Sequence, residues 1–282
     1  MEHHAIAKWQ HQAHKMSLAT LKWGNLLVEA DFIEKLKHEA NVVLTCATAP
    51  STTMMVALAH HSPEPDGRHE TDAWIVLSAD PNHDFDFHRL AMRGMLDHYM
   101  KGEGSAATKR PATAVAGEGA GSSAVQDPPV VHVWTDGCGK QYKGKRNFEA
   151  VARSLRALGV VIDHNFAATS HFKGAHDGIG GLAKNMIRRQ EAQGRRIPDT
   201  KAAFDFLSDY AKSSGTKKGG PFADWSPYKI TRMWVKEIPR PPVNLEGIPA
   251  SSRLYQFMGG VHQEMCAVWC TQRAFSALWQ LG

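Results

Sequence analysis

Val130-Val131-His132-Val133-Trp134-Thr135-Asp136, followed by Gly137-Cys138-Gly139-Lys140-Gln141-Tyr142-Lys143-Gly144-Lys145-Arg146, is the stretch on which the fold turns. The first seven residues are mostly β-branched or aromatic and predict a buried strand closed by an acid. The glycine- and lysine-rich loop leads into Phe148, Val151, Leu155 and Leu158, whose spacing predicts one amphipathic helix. Val160 to Ser170 reads as the next strand, and Ile179, Leu182, Ala183 and Met186 as one face of the next helix. Strand and helix alternating in this way call for a layered α/β fold with parallel strands.

Upstream, Ile6, Trp9, Ala13 and Met16 share a helical face. Leu26 to Phe32 reads as a strand with Asp31 near its end. Asn41–Thr48 and Thr52–His60, parted by Pro50, count as one irregular strand, and Ala73–Ser78 as a third. Asn82-His83-Asp84 supplies capping chemistry before Phe87, Leu90, Ala91 and Met95 at helical spacing. The resulting order, β-β-β-α-β-α-β-α, is that of the ribonuclease H-like fold, a mixed sheet flanked by helices on both faces. Residues 101–129, rich in Gly, Ala, Ser and Pro without apolar period, read as a flexible insertion. The expected organisation is a lead-in helix over 1–24, a ribonuclease H-like domain over 25–197 and a C-terminal extension over 198–282, mostly helical or irregular.

Composition bounds the function class. A chain of 282 residues buries a core without disulfide or metal staples, and 43% hydrophobic against 22% charged residues excludes a wholly disordered chain. A net charge of +5 permits a polyanionic partner without requiring one. No run of about 18 apolar residues is present, so no membrane span is expected. The N-terminus lacks a signal-peptide pattern, which points to an intracellular protein. Cys266 and Cys270, with His262 upstream, lack the four paired ligands a structural zinc site wants, and read as buried thiols on a helical turn.

The chemistry lies in the acids. Asp31 and Asp136 end or nearly end strands, and Asp177 opens a helix. Acids at neighbouring strand ends converge in space, where hard oxygen donors select Mg²⁺ or Mn²⁺, and a two-metal site clamps both oxygens of a phosphodiester displacement. On a helical wheel at about 100° per residue, Gly181, Lys184 and Arg188 fall within about 40° of Asp177, and Ile179, Leu182 and Met186 lie opposite. That stripe suits a phosphate track. Lys140, Lys143, Lys145 and Arg146 stand just before a helix N-terminus, where free N–H groups favour anions. Residues 61–100 hold eight acids against three arginines, so the basic charge gathers beside the second and third aspartates.

Ala30-Asp31-Phe32-Ile33-Glu34, Ser78-Ala79-Asp80-Pro81-Asn82-His83-Asp84, Thr135-Asp136-Gly137-Cys138-Gly139-Lys140 and Phe166 to Gly181, with its His171-Phe172-Lys173-Gly174-Ala175-His176-Asp177-Gly178-Ile179-Gly180-Gly181 core, resemble blocks of a eukaryotic transposase-derived family with a DDE/D, ribonuclease H-like core. The resemblance runs from about Lys8 to the Gln190 region. It implies that Asp31, Asp136 and Asp177 are the catalytic, metal-binding acids, with Mg²⁺ or Mn²⁺ as cofactor. Glu34, Asp80, His171 and His176 then become candidates to support them. It further implies DNA as partner, with RNA as the alternative, action in the nucleus, and a homo-oligomer or other element-encoded regions as companions. Departures exist: Ile33 and Lys35 stand where the family carries alanine and asparagine. The expected activity is phosphodiester cleavage or strand transfer. The alternatives are a catalytically silent nucleic-acid-binding scaffold on the same fold and an ATP-using enzyme, for which neither a phosphate loop nor an adenosine pocket is evident.

Overall fold

The computed structural model describes residues 2–38, 51–65, 68–101, 127–139, 141–167, 172, 174–214, 229–240 and 256–258. After helix α1 (Glu2–Ala19), strands β1 (Leu26–Lys37), β2 (Ser51–His61) and β3 (Glu70–Ser78) pair antiparallel in chain order. Helix α2 (Phe85–Leu96) follows, its first turn capped by the Asp84 carboxylate accepting from the Phe87 N–H. Strand β4 (Val130–Asp136) then pairs parallel with β1, and β5 (Val161–Ala167) parallel with β4. Between β4 and β5 lie α3 (Lys145–Ala152) and α4 (Ser154–Leu158); α5 (Ala175–Ala192) and α6 (Thr200–Ser214) come after. Two further strands, β6 (Lys229–Trp234) and β7 (Gln256–Met258), add to the edges, giving the order β6-β3-β2-β1-β4-β5-β7.

The middle strands are buried on both faces, as Thr52 to His60 of β2 shows by an unbroken buried run. Val28, Ala30, Met55 and Val76 face Phe87, Ala91 and Met95 of α2. Met54, Val56 and Leu77 face Ile179, Ala183 and Ile187 of α5 together with Phe206 and Leu207 of α6. On that second side α1 covers the lower part of the sheet, with Ala13 and Leu18 against Leu27 and Trp134. Gly180 sets the approach of α5 to β1. A Cβ there would stand 2.6 Å from Ile33 Cγ1, so a larger residue would push the helix off the strand.

The structure departs from the expected elements at three places. The single helix over Phe148–Leu158 is two: the turn breaks at Arg153 (φ −95°, ψ 3°), and Ser154 Oγ accepts the Ile162 N–H at 3.1 Å, which ties the break to β5. The first strand runs on past Phe32 to Lys37, because the long partner β2 supports it after β4 has ended, with a register shift between Ile33 and Leu36. Described residues of the expected C-terminal extension pack onto the sheet. Ile197, Ala203, Phe206 and Leu207 share the core of the second face, and β6 continues the sheet beside β3. Finally, the expected strand segment 41–48, most of the insertion 101–129, and Lys140, His171, His262, Cys266 and Cys270 lie outside the described residues. Among the described residues no helix is long and apolar enough to cross a membrane.

Candidate metal centre

The parallel ladder between β1 and β4 ends at the pair Ala30–Thr135. Asp31 and Asp136 are the next residues on each strand, and the alternation of side chains puts both on the face covered by α1 and α5. Helix α5 begins over this point. Asp177 is its third residue and accepts the Gly174 N–H at 3.2 Å, so the carboxylate is oriented by the helix start that carries it. One ligand atom each from Asp31, His176 and Asp177 lies within 4.8 Å of the other two. Burial first, then the charges of Asp136 and Asp177, raise the Asp31 carboxyl from 3.8 to about 7, against the Phe32 N–H donated to Oδ1 at 2.7 Å. Of the three acids expected to converge, Asp31 and Asp177 share that triplet, and Asp136 lies outside it and acts on Asp31 through its charge.

The expected supporting residues divide. His176 is fully buried beside the acids, its Nε2 3.7 Å from Asp177 Oδ2. Asp80 is engaged elsewhere: Arg240 donates to both its oxygens, at 2.7 and 2.9 Å, and to Asp84 at 2.6 Å, locking the β3–α2 loop and holding Asp80 below the usual carboxylate range. Glu34 is exposed and accepts from Lys184 Nζ at 3.0 Å.

That last contact corrects the expected phosphate track. The wheel places Lys184 opposite the core, yet it is buried, because the extra length of β1 brings Glu34 alongside α5. Arg188 alone of the two cations is exposed. The basic loop is corrected likewise. Arg146 is ion-paired with the buried Asp86 of α2, so it joins α3 to α2. Lys143 is half-buried, its Nζ 5.4 Å from the Phe166 ring centre; burial lowers its pKa while Asp136 counters. Lys145 stands exposed at the start of α3.

Sequence reasoning missed Glu29. Two residues before Asp31 on the same strand face, it is buried, and its Oε1 lies 2.8 Å from His60 Nε2 and 3.0 Å from His14 Nε2. Burial alone would raise its pKa, but the bonds to His14 and His60 carry it well below the ordinary glutamate range. The spacing of Glu29 and Asp31 was a legible signal; the histidines, from α1 and β2, are distant in sequence and were not. On the opposite face, His164 lies 2.9 Å from Thr135 Oγ1 and 3.0 Å from the Asn147 amide, and burial holds His88 neutral, its pKa lowered to about 3.

A domain family of unknown function (DUF8701) matches residues 122–217, about a third of the chain. The match takes in β4 through α6, hence Asp136 and Asp177 but not Asp31. No curated protein and no solved structure matches the chain.

Proposed function

We propose that this chain is a ribonuclease H-like, metal-dependent domain of transposase or nuclease type that cleaves or transfers phosphodiesters of DNA. The observation that carries the reading is the meeting of Asp31 and Asp177, with Asp136 acting on Asp31 through its charge, at the point where β1 loses its parallel partner and α5 begins. The strand order β3-β2-β1-β4-β5, with β2 alone antiparallel, supports it, being the ribonuclease H-like arrangement. The donor set fits a hard divalent cation: clustered carboxylate oxygens, one of them held near pH 7 by burial and its acidic neighbours, repel one another in the way a bound cation relieves. Asp31, Asp136 and Asp177 would hold Mg²⁺ or Mn²⁺, which supplies charge stabilisation for an oxygen nucleophile and an oxygen leaving group. Lys143 beside Asp136, Lys145 at the start of α3 and Arg188 on α5 would meet the backbone of a nucleic-acid strand. Arg146 and Lys184 serve the fold instead. Such an enzyme works where DNA is, which makes the nucleus its expected place.

Nicking of supercoiled plasmid in Mg²⁺ or Mn²⁺ tests the reading. The wild type is expected to nick only with metal present, and Asp136→Asn to lose that activity with an unchanged circular-dichroism spectrum. Equal nicking by the variant would remove Asp136 from the chemistry. Absence of nicking by the wild type would favour a silent nucleic-acid-binding scaffold on the same fold.

A further inference from the structure

The chemistry of the three carboxylates does not account for His176. It is fully buried, and neither ring nitrogen makes a hydrogen bond of ordinary geometry among the described residues, the Phe172 backbone offering only a weaker contact. A buried imidazole without a partner forfeits the hydrogen bonds it made to water, at a cost of about 1–3 kcal/mol, unless something else satisfies it. Its surroundings are arranged rather than accidental. The ring stacks on Phe172 with centroids 5.0 Å apart, and Gly174 lies so close that a Cβ there would stand 2.9 Å from Nδ1. Nδ1 faces Glu29 Oε2 at 3.9 Å, and Nε2 faces Asp177 Oδ2 at 3.7 Å.

The same ring belongs to the triplet whose ligand atoms lie within 4.8 Å of one another, with Asp31 and Asp177. A carboxylate behind one ring nitrogen and an oxygen-lined space before the other is how a metal-binding histidine is normally held. Glu29 is unusually well suited to stand behind it. Its Oε1 is engaged by His14 and His60, so the carboxylate is fixed.

We propose that His176 is a metal ligand through Nε2, completing a site with Asp31 and Asp177, and that Glu29 is its positioning residue at Nδ1. The proposal rests on the metal-dependent reading above and adds to it a nitrogen donor. A set of two carboxylates and one imidazole is disfavoured by Mg²⁺, which keeps oxygen ligands in strict octahedral geometry, and is accepted by Mn²⁺. The site is therefore selective for Mn²⁺ over Mg²⁺.

Pulsed electron paramagnetic resonance of the full chain loaded with Mn²⁺ tests this. The wild type is expected to show a ¹⁴N coupling from directly bound imidazole, and His176→Phe, which keeps a buried ring against Phe172, to lose it. Calorimetric titration should show Mn²⁺ bound at least about tenfold more tightly than Mg²⁺, a preference that His176→Phe abolishes; Glu29→Gln should weaken Mn²⁺ by about 10- to 100-fold. Bound Mn²⁺ without ¹⁴N coupling in the wild type would overturn the role of His176 and leave the phosphodiester reading standing, and it does not depend on how the variants fold. A coupling that survives His176→Phe would assign it to another histidine and overturn the proposal equally. No Mn²⁺ binding at all would overturn both readings. A coupled Mn²⁺ in a protein that nicks no DNA would uphold the site and remove the nuclease.

Discussion

Glu29 and Asp31 sit two residues apart on one strand, on the same face, both largely buried, and their carboxyls go opposite ways. Glu29 is met by imidazoles from α1 and β2 and stays ionised into strong acid. Asp31 is met by two further acids and holds its proton up to about pH 7. Burial is common to both; the partners decide. A carboxylate provided with donors stabilises the fold that built it, whereas one surrounded by acids is a cost the fold carries until a cation offsets it. The backbone distinguishes the two only by a step of two residues along β1.

Replacing the partnered carboxylate should have the largest effect on stability. Glu29→Gln removes the charge that two histidines address and is expected to lower the free energy of unfolding by about 3 kcal/mol at neutral pH, since hydrogen bonds to buried charged groups contribute roughly 1.5–3 kcal/mol each. Urea unfolding measures it, and a loss below about 0.5 kcal/mol would mean that Glu29 is no better placed than Asp31.

Asp31→Asn should do the reverse in metal-free protein. Because the folded pKa is raised, the wild type loses stability as pH rises from the ordinary aspartate range through about 7, and loses no more above that. The asparagine variant escapes this loss. It should be more stable by about 2 kcal/mol at pH 8, melt about 4–8 °C higher there, and match the wild type at pH 4. Added Mn²⁺ should close the gap at pH 8 by stabilising the wild type alone. A destabilised Asp31→Asn at pH 8 would show that the clustered acids do not repel as described.

The smallest effects separate cations that build the fold from those we propose to meet a partner. Arg146→Ala leaves the buried Asp86 without its ion pair to α3 and should cost about 1–2 kcal/mol, whereas exposed Lys145→Ala should stay within about 0.5 kcal/mol. In DNA binding the ranking inverts for Lys143 and Lys145. Lys143→Ala with Lys145→Ala should flatten the log–log salt dependence by about 0.9 for each lost duplex phosphate contact, similarly for unrelated sequences. An unmoved slope would confine both lysines to the surface of α3.

Local pattern was enough to read the element order. β-branched runs such as Val130–Asp136 and helical spacings such as Ile179–Met186 depend on burial along one segment, and that survives folding unchanged. The three aspartates were legible for the same reason: each stands at or near the end of a segment, and segment ends can be read in one dimension. What a residue at such an end meets is set by segments far away in the chain. Lys184 looked free until the length of β1 carried Glu34 beside it, and Arg146 until α2 presented Asp86. Residues 198–214 and 229–234 looked appended until apolar side chains such as Phe206 and Leu207, and strand β6, found the sheet. Glu29 and His176 acquire their roles from α1, β2 and the approach that Gly174 and Gly180 permit. Sequence alone thus determined which segments bury an apolar face and where the acids fall on them. Only the tertiary structure decided which charges are neutralised, because pairing energy depends on distances across the fold and not along the chain.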